Sequence, residues 1–380
     1  MQRFRAFAGC RKPGTGPDLA AVATGRGRWE PPPIDRGPAS RRLGPARRHR
    51  GAAATSGATS GAASGAGSGA APGNTPGAAS GAANSRAPSG RRSSKGLETY
   101  LWKCQPCKSW PPLLRDIRLG MSGAGMYCEG AKGECNLGQQ EIAFRYDHAR
   151  VTCDNHTIYK NGAKEIADRH GKSITFMAKF DEREGNSCHI HISLRGPDGS
   201  AVFADDSDPL GMSPMFRSFI AGQLATLREL TLFYAPNINS YKRFVDGSFA
   251  PTAVAWGLDN RTCALRVVGH GPGMRMENRA PGGDVNQYLA VAALIVGGLY
   301  GIDNELPLPE PMVGNAYTSG AERLPTTLGE AMTLFENSEV ARAAFGDEVV
   351  EHYLNNARIE LSAYNSAVTD WERMRGFERL

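Results

Sequence analysis

The stretch Cys188–Leu194 constrains the fold of this chain more than any other part of its sequence, which there reads C-H-I-H-I-S-L. Side chains alternate across a β-strand. The aliphatic residues of this stretch would therefore share one face and pack into a core, while His189, His191 and Ser193 would share the other. Two histidines and a serine on one face indicate either a solvated surface or a functional site, and this stretch alone leaves both open.

A second strand-like stretch, Met274–Ala280, favours the functional site. It reads M-R-M-E-N-R-A, so Arg275, Glu277 and Arg279 would share one face. A ladder of ion pairs on a wet strand is the alternative, and such pairs contribute little to stability. The flanking sequences H-G-P-G and A-P-G-G are typical of turns around a site rather than of a long solvated sheet.

Charged residues outside these two stretches extend the candidate site. Glu134 and Glu141 flank a glycine-containing loop that can turn both carboxylates toward one point. Arg243, Arg261 and Arg266 stand in segments that are otherwise apolar or small. Because the guanidinium fork matches carboxylate and phosphate groups, arginines in such segments indicate buried anionic partners.

The residue types in this set point to one kind of chemistry. Carboxylates with one imidazole suit Mg²⁺ or Mn²⁺ better than a metal that prefers thiolates. Several arginines suit a transferring phosphoryl group and a carboxylate substrate, because phosphoryl transfer depends on positioning and charge neutralisation. The chain has no GxxxxGK[ST] sequence and no GxGxxG that opens a helix, which excludes a Walker or a Rossmann nucleotide site.

Charge is distributed unevenly along the 380 residues. Residues 1–100 carry a net charge of +12 and the remainder −6, so the overall +6 gives no reason to expect a nucleic-acid partner for the main body. Residues 1–96 are of low complexity and are predicted to be a disordered basic tail. The alternatives for this tail are an organelle transit peptide, an RNA-binding arm, or a stretch outside the authentic coding sequence. Residues 97–111 are predicted to be a linker, and residues 112–380 a catalytic domain.

The main body mixes strand and helix patterns without a regular β-α-β repeat, which predicts the α+β class. Strands are predicted at 142–146, 174–180, 188–194, 265–268 and 274–280, and helices at 156–169, 213–233 and 348–372. The longest apolar stretch, Tyr288–Ile302, is shorter than the ~20 residues that span a bilayer and is predicted to be a buried helix. The eight cysteines are scattered without a disulfide framework, which favours reduced thiols and a cytoplasmic location.

Five ordered motifs resemble the catalytic domain of the bacterial glutamine synthetase family. They read E-C-N-L-G-Q-Q-E-I, F-M-A-K-F followed by G-N-S-C-H-I-H-I-S-L, N-S-Y-K-R-F-V, N-R-T-C-A-L-R and R-M-E-N-R, and they span about residues 112–380. The resemblance implies a curved antiparallel sheet with helices packed outside it. It also implies that ATP activates the γ-carboxylate of glutamate as γ-glutamyl phosphate, which a nitrogen nucleophile then attacks, with two divalent ions assisting.

The resemblance also assigns roles to positions that match the family's motifs. It implies these metal ligands: Glu134, Glu141, His189 and Glu277. It implies these ATP contacts: Glu129, Tyr146, His191 and Ser193. It implies these phosphate-clamping catalytic residues: Arg261, Arg266 and Arg275. It implies these contacts to the glutamate substrate: Gly185, Arg243 and Arg279.

Two departures from the family pattern qualify the expected activity. Phe249 stands where ammonia-using members carry a glutamate that helps deprotonate ammonium, which resembles the subgroup that ligates glutamate to amines or polyamines. The family's N-terminal β-grasp domain and the E-x-E strand that supplies one carboxylate to each metal have no counterpart here. We therefore expect little or no activity from the chain as it stands.

Several alternatives stay open at this point. The chain could be a glutamate–ammonia ligase, a glutamate–amine ligase, or a nucleotide-binding pseudoenzyme. Members of the family form rings of twelve subunits, but the rings depend on the β-grasp domain, so the sequence does not establish an oligomer. Tyr317, in N-A-Y-T-S, is expected to be an ordinary surface tyrosine.

Overall fold

An eight-stranded sheet runs through the part of the chain described by this computed structural model, namely residues 2–9, 110–136, 138–377 and 379. Its strands are β1 (Gln2–Gly9), β2 (Cys128–Gly133), β3 (Gln140–Phe144), β4 (Asp147–His148), β5 (Cys188–Arg195), β6 (Trp256–Leu258), β7 (Leu265–Val268) and β8 (Arg275–Asn278). The strand order is β2-β3-β1-β5-β8-β7-β6, with β4 paired to β1. The pairs β2–β3, β5–β8 and β7–β8 are antiparallel. Because β1 and β6 run parallel to their neighbours, the sheet is mixed and not purely antiparallel as expected.

Helices accompany this sheet and confirm the α+β class. They are α1 (Trp110–Gly123), α2 (Ala149–Arg169), α3 (Pro214–Thr226), α4 (Thr231–Tyr234), α5 (Ile238–Tyr241), α6 (Gln287–Asp303), α7 (Leu328–Glu336), α8 (Glu339–Phe345), α9 (Asp347–Ser366) and α10 (Asp370–Gly376). The start of α3 is set as predicted, because the Ser213 hydroxyl accepts a hydrogen bond from the backbone N–H of Phe216 at 3.1 Å. All described residues belong to one of the chain's two units, Met1–Gly27 with Lys95–Leu380.

The main hydrophobic core contains the inward face of β5. Ile190, Ile192 and Leu194 are buried and belong to the same cluster as the aromatic residues Phe216 and Phe219 of α3. The alternation in C-H-I-H-I-S-L therefore separates a core face from a polar face, as predicted. A smaller cluster joins residues of α1, α2 and β3.

Helices α3 and α6 touch through their backbones. A Cβ on Gly222 would lie 2.2 Å from the carbonyl oxygen of Gly297, and a Cβ on Gly301 would lie 2.0 Å from that of Ser218. Only glycine allows two helices to approach this closely. This contact fixes α6, the buried helix predicted from the apolar stretch, against the helix that packs on β5.

Some predicted elements differ in the structure. The stretch Ile174–Phe180, predicted as a strand, has no strand partner among the described residues, so that prediction is wrong. Within this stretch, the carbonyl of Ala178 instead accepts a hydrogen bond from the backbone N–H of Asn186 at 2.8 Å. The single helix predicted from Glu348 is interrupted before Thr369, which caps a new helix, α10.

Strand β1 was not predicted, since residues 1–96 read as a disordered tail. It pairs in parallel with β5 along its whole length, from Gln2 opposite Cys188 to Gly9 opposite Arg195, and it also pairs with β3. Strand formation depends on an available partner edge more than on local sequence, which explains the miss. The rest of the predicted tail and the linker up to residue 109 lie outside the described residues.

Within the described ranges, no helix combines the length and the apolar character that crossing a membrane requires.

Candidate active site

A fully buried carboxylate, Glu277 on β8, lies at the centre of the polar face. Its Oε1 lies 2.9 Å from His189 Nδ1 on β5 and 3.0 Å from Arg279 Nη1. Its Oε2 accepts a hydrogen bond from Arg266 Nη1 on β7 at 2.7 Å. The antiparallel pairings β5–β8 and β7–β8 bring these side chains together, because Glu277 lies opposite both His191 and Arg266 in the sheet.

The charges of this cluster follow from its partners. Burial alone would raise the pKa of Glu277, but the hydrogen bond with His189 and the neighbouring positive charges hold that pKa well below its usual range. Burial, reinforced by the charge of Arg279, holds the pKa of His189 well below its usual range. The cluster is therefore an ionised carboxylate held by two guanidinium groups and a neutral imidazole. His189 Nε2 is buried and has no hydrogen-bond partner in the described part of the chain, which leaves it free to bind a ligand.

A second carboxylate pair lies on the hairpin β2–β3 and the loop between its strands. Lys132 Nζ lies 2.7 Å from Glu134 Oε1 and 3.6 Å from Glu141 Oε1. Both carboxylates thus reach the ammonium group of Lys132, which agrees with the expectation that the glycine-containing loop turns them toward one point. Glu141 is only 2% exposed, so its charge needs a positive partner at this position.

The donor set fits a hard divalent cation that keeps other oxygen ligands. Among the described residues, no group of three or more His, Cys, Asp or Glu side chains could hold a metal ion. The two pairs, Glu134 with Glu141 and His189 with Glu277, remain as separate candidates. Mg²⁺ is commonly bound by one or two carboxylates together with water and substrate phosphates, so each pair would supply part of such a coordination shell.

Three of the four predicted ATP contacts line one small cavity. Tyr146, His191, Ser193 and Arg275 surround a cavity of about 130 Å³. Arg275 Nε donates to His191 Nδ1 at 3.3 Å, and its Nη1 donates to the Gly273 carbonyl at 3.0 Å. The fourth predicted contact, Glu129, is exposed on β2 at the edge of the sheet and is not among the lining residues.

Of the residues predicted to hold glutamate, Arg279 contacts the buried carboxylate, and Arg243 lies against Gly185. Arg243 is 1% exposed, its Nη1 donates to Ser187 Oγ at 2.9 Å, and its Nη2 donates to the Ala280 carbonyl. Burial lowers the pKa of Arg243 to about 10, so the guanidinium remains charged near neutral pH. A Cβ on Gly185 would lie 2.8 Å from Arg243 Cγ, which shows that the backbone of Gly185 runs against this arginine.

Two residues that sequence reasoning missed hold the loop of Gly185. Gln139 Nε2 donates to the Gly185 carbonyl at 3.0 Å, and Asn136 Nδ2 donates to Asp181 Oδ1 at 2.7 Å. Both residues stand in the motif that carries Glu134 and are buried. The position of Asn136 and Gln139 inside a motif of predicted metal ligands was the only signal for a role in the site. Their partners could not be predicted from it, because they lie more than forty residues away in the sequence.

Arg261 and Arg266 differ in their surroundings. Arg266 also pairs with Asp259, at 2.8 Å from its Nε, and these hydrogen bonds outweigh burial and raise its pKa. Arg261 is exposed and lines a surface depression with Asp259 and Asn260. The structure therefore brings Arg266 and Arg275 to the polar face of the sheet and leaves Arg261 at its rim.

The turn that carries Phe249 meets the site through its backbone. Arg279 Nη2 donates to the Phe249 carbonyl at 3.0 Å. Phe249 has φ = +63°, and its ring is 49% exposed. The expectation for Tyr317 is wrong, since its ring is half-buried and its hydroxyl donates to the Ala250 carbonyl at 3.0 Å.

The fold and the site define a glutamine synthetase-type catalytic domain, and comparison with known proteins gives the same result. The family model for the glutamine synthetase catalytic domain matches residues 76–375, and the chain belongs to this family. The match begins inside the stretch predicted to be a tail. Part of that stretch is therefore similar to the family domain.

Curated relatives narrow the comparison. The chain is 65% identical over 269 residues to a gamma-glutamylethanolamide synthetase of Streptomyces coelicolor, covering 71% of this chain and 58% of the relative. It is 42% identical over 268 residues to a glutamate–isopropylamine ligase of a Pseudomonas species, covering 69% of this chain and 58% of the relative. The chain thus spans less than two thirds of the length of either relative.

A solved structure shares the architecture. The structure of a GmaS–ADP complex superposes with a TM-score of 0.66 at 32% identity, covering 70% of this chain and 64% of the other. A ligand-free GmaS structure superposes with the same TM-score at 30% identity, covering 75% of this chain and 65% of the other.

Proposed function

We propose that this chain carries the catalytic part of an ATP-dependent ligase that joins the γ-carboxylate of glutamate to an amine. The observation that carries the proposal is the hydrogen bond from Arg279, a residue assigned to the glutamate substrate, to the carbonyl of Phe249. If Arg279 holds glutamate as assigned, this bond would bring an apolar residue close to the incoming nucleophile. The names of two relatives, a gamma-glutamylethanolamide synthetase and a glutamate–isopropylamine ligase, support an amine in that place.

Glutamate would be held by its charges. Arg279 and Arg243 are buried guanidiniums, each with a buried Nε that has no hydrogen-bond partner among the described residues. A carboxylate substrate would satisfy such donors. The backbone of Gly185, packed against Arg243, would allow the substrate to approach closely.

Two pairs of side chains would hold two divalent ions. We assign Glu134 and Glu141 to one ion, and His189 and Glu277 to the other, with Mg²⁺ or Mn²⁺ as the metal. When bound, such ions neutralise the negative charge of the phosphates and of the γ-carboxylate. Water and ATP oxygens would complete the coordination, as is usual for Mg²⁺.

The remaining residues would bind and orient ATP. Tyr146, His191 and Ser193 line one cavity and are assigned to the nucleotide together with Glu129. Three cationic residues would stabilise the transferring phosphoryl group, namely Arg261, Arg266 and Arg275.

The proposed reaction has two steps, phosphorylation of glutamate and displacement of the phosphate by an amine. A γ-carboxylate oxygen of glutamate attacks the terminal phosphorus of ATP, and the bond to the leaving ADP oxygen breaks. The amine nitrogen then attacks the γ-carbonyl carbon, loses a proton, and displaces inorganic phosphate. Phe249 provides no carboxylate to take a proton from ammonium, so the pocket favours an organic amine with its own apolar part.

A competition assay tests the proposal. The purified chain, ATP, Mg²⁺ and glutamate are mixed with equal concentrations of ammonium and of ethanolamine, putrescine or spermidine. We expect slow formation of a γ-glutamylamide in excess over glutamine, measured by mass spectrometry. The variant Phe249→Glu should shift the product ratio toward glutamine. Preferential glutamine formation by the wild-type chain would refute the proposed nucleophile.

The reaction would take place in the cytoplasm. The cysteines Cys153, Cys188 and Cys263 are buried and free, which suits a reducing compartment. Burial raises the pKa of the Cys188 thiol to about 12, so this thiol stays protonated and unreactive.

A further inference from the structure

The turn that carries Phe249 is held by a segment distant in the sequence. This segment, residues 316–324, is here called the strap. Tyr317 Oη donates to the Ala250 carbonyl at 3.0 Å. Arg323 Nη2 pairs with Asp246 Oδ1 at 2.8 Å, and Arg323 Nη1 donates to the Tyr317 carbonyl at 3.4 Å. The strap therefore contacts the turn on both sides of Phe249 in the sequence.

Backbone hydrogen bonds continue the strap beyond the turn. Leu324 N donates to the Thr252 carbonyl at 3.0 Å, and Val254 N donates to the Glu322 carbonyl at 2.7 Å. These bonds flank an isolated antiparallel bridge between Ala253 and Arg323. A short ladder thus anchors one end of the strap, and Tyr317 lies at the other end near the turn, beside Ala316, whose backbone N–H donates to Thr262 Oγ1 at 2.9 Å.

Two consecutive carbonyls of the turn are bonded by different parts of the protein. Arg279 binds the carbonyl of Phe249, and Tyr317 binds that of Ala250. Phe249 needs such support, since its φ of +63° is unfavourable for a residue with a side chain. Burial raises the pKa of Tyr317, so its hydroxyl remains a donor at neutral pH.

We propose that Tyr317 is a positioning residue that sets the choice of nitrogen nucleophile by holding the turn of Phe249. This inference rests on the proposed function, because it concerns which nucleophile passes Phe249. Its hydroxyl bonds to the turn and not to the residues assigned to glutamate, ATP or metal. When the hydroxyl is removed, the Phe249 ring loses its fixed place and the preference for an amine over ammonium weakens.

The variant Tyr317→Phe tests this proposal, because it removes the hydroxyl and keeps the ring. Tyr300→Phe is the matched control, since Tyr300 is a partly buried tyrosine on α6. The first measurement is hydrogen exchange at the Ser248 amide, which donates to the Val245 carbonyl at 3.1 Å within the turn. The second is the ratio of γ-glutamylethanolamide to glutamine when both nucleophiles compete, which a general loss of activity would leave unchanged.

We expect Tyr317→Phe to accelerate exchange at Ser248 and to lower the product ratio about fivefold, which corresponds to about 1 kcal/mol, the usual net contribution of one hydrogen bond. Tyr300→Phe should change neither quantity. Unchanged exchange at Ser248 would overturn the claim that Tyr317 holds the turn. Faster exchange with an unchanged ratio would overturn its role in selecting the nucleophile.

The two proposals can fail separately. A wild-type chain that makes only glutamine refutes the proposed function and with it the claim about selectivity. Hydrogen exchange then still decides whether Tyr317 holds the turn. A wild-type chain that prefers the amine while Tyr317→Phe behaves as wild type in both measurements refutes this inference alone.

Discussion

Replacing Glu277 by glutamine should destabilise the chain strongly, because it removes the one negative charge at the centre of a buried cationic cluster. The carboxylate contacts Arg266 at 2.7 Å, Arg279 at 3.0 Å and His189 at 2.9 Å, all with little or no solvent exposure. Breaking a buried ion pair by removing one partner costs about 3–5 kcal/mol. Asp259 still partners Arg266, so we expect a loss near 3 kcal/mol, the lower end of that range.

Urea unfolding monitored by circular dichroism measures this loss in the absence of added metal and nucleotide. The control is Glu348→Gln, which removes the charge of an exposed glutamate on α9 and should change the free energy of unfolding by less than about 0.5 kcal/mol. Should Glu277→Gln stay within about 1 kcal/mol of the wild type, Glu277 is not the ionised partner of the two arginines, and the charge assignment of the site fails.

Three further changes test other parts of the structure. Gly301→Ala should lower the free energy of unfolding by about 3 kcal/mol in urea titration. Overpacking of a core costs about 1–3 kcal/mol, and the new Cβ meets a backbone atom. The control Gly123→Ala should leave the free energy of unfolding unchanged, because its Cβ meets nothing within 4 Å. Gly185→Ala should weaken glutamate binding about tenfold in calorimetry, because the new Cβ meets the backbone carbonyl of Ala178 and the side chain of Arg243, and an unchanged affinity would contradict the assigned substrate contact. Burial holds the pKa of His156 well below 6.5, so the native state keeps this residue neutral, while the unfolded chain takes up a proton as pH falls below 6.5. Between pH 7 and pH 5 the wild type should therefore lose about 2 kcal/mol more stability than His156→Gln, and equal pH dependence would refute the assignment.

Local periodicity predicted the polar face of the sheet. The alternation placed His189 and His191 on one face of the first strand. It placed Glu277 with Arg275 and Arg279 on one face of the second, and the antiparallel pairing of β5 and β8 joins these two faces. A repeat of two residues is a property of the strand itself, so it can be read without knowledge of the fold. The residues' roles came from the family resemblance and stay predictions.

Contacts between distant segments could not be predicted. Gln139 reaches Gly185, Tyr317 reaches Ala250, and Asn136 reaches Asp181, each across more than forty residues. Alternation also failed where the backbone has no partner edge, as in the stretch predicted as a strand at 174–180. Sequence patterns report what one segment prefers, whereas these features depend on which segment lies beside it.

The position of β1 in the sheet makes one strand a spacer between the two proposed cation pairs. His189 and Glu277 lie on β5 and β8, whereas Glu141 lies on β3, and β1 is hydrogen-bonded between β3 and β5. Neighbouring strands lie about 4.8 Å apart, so one intervening strand places β3 and β5 about two such spacings apart and limits how close two ions could bind. The strand that pairs between β3 and β5 therefore helps to determine whether two bound ions could contact the same phosphate. None of the four proposed ligand side chains sets this distance by itself.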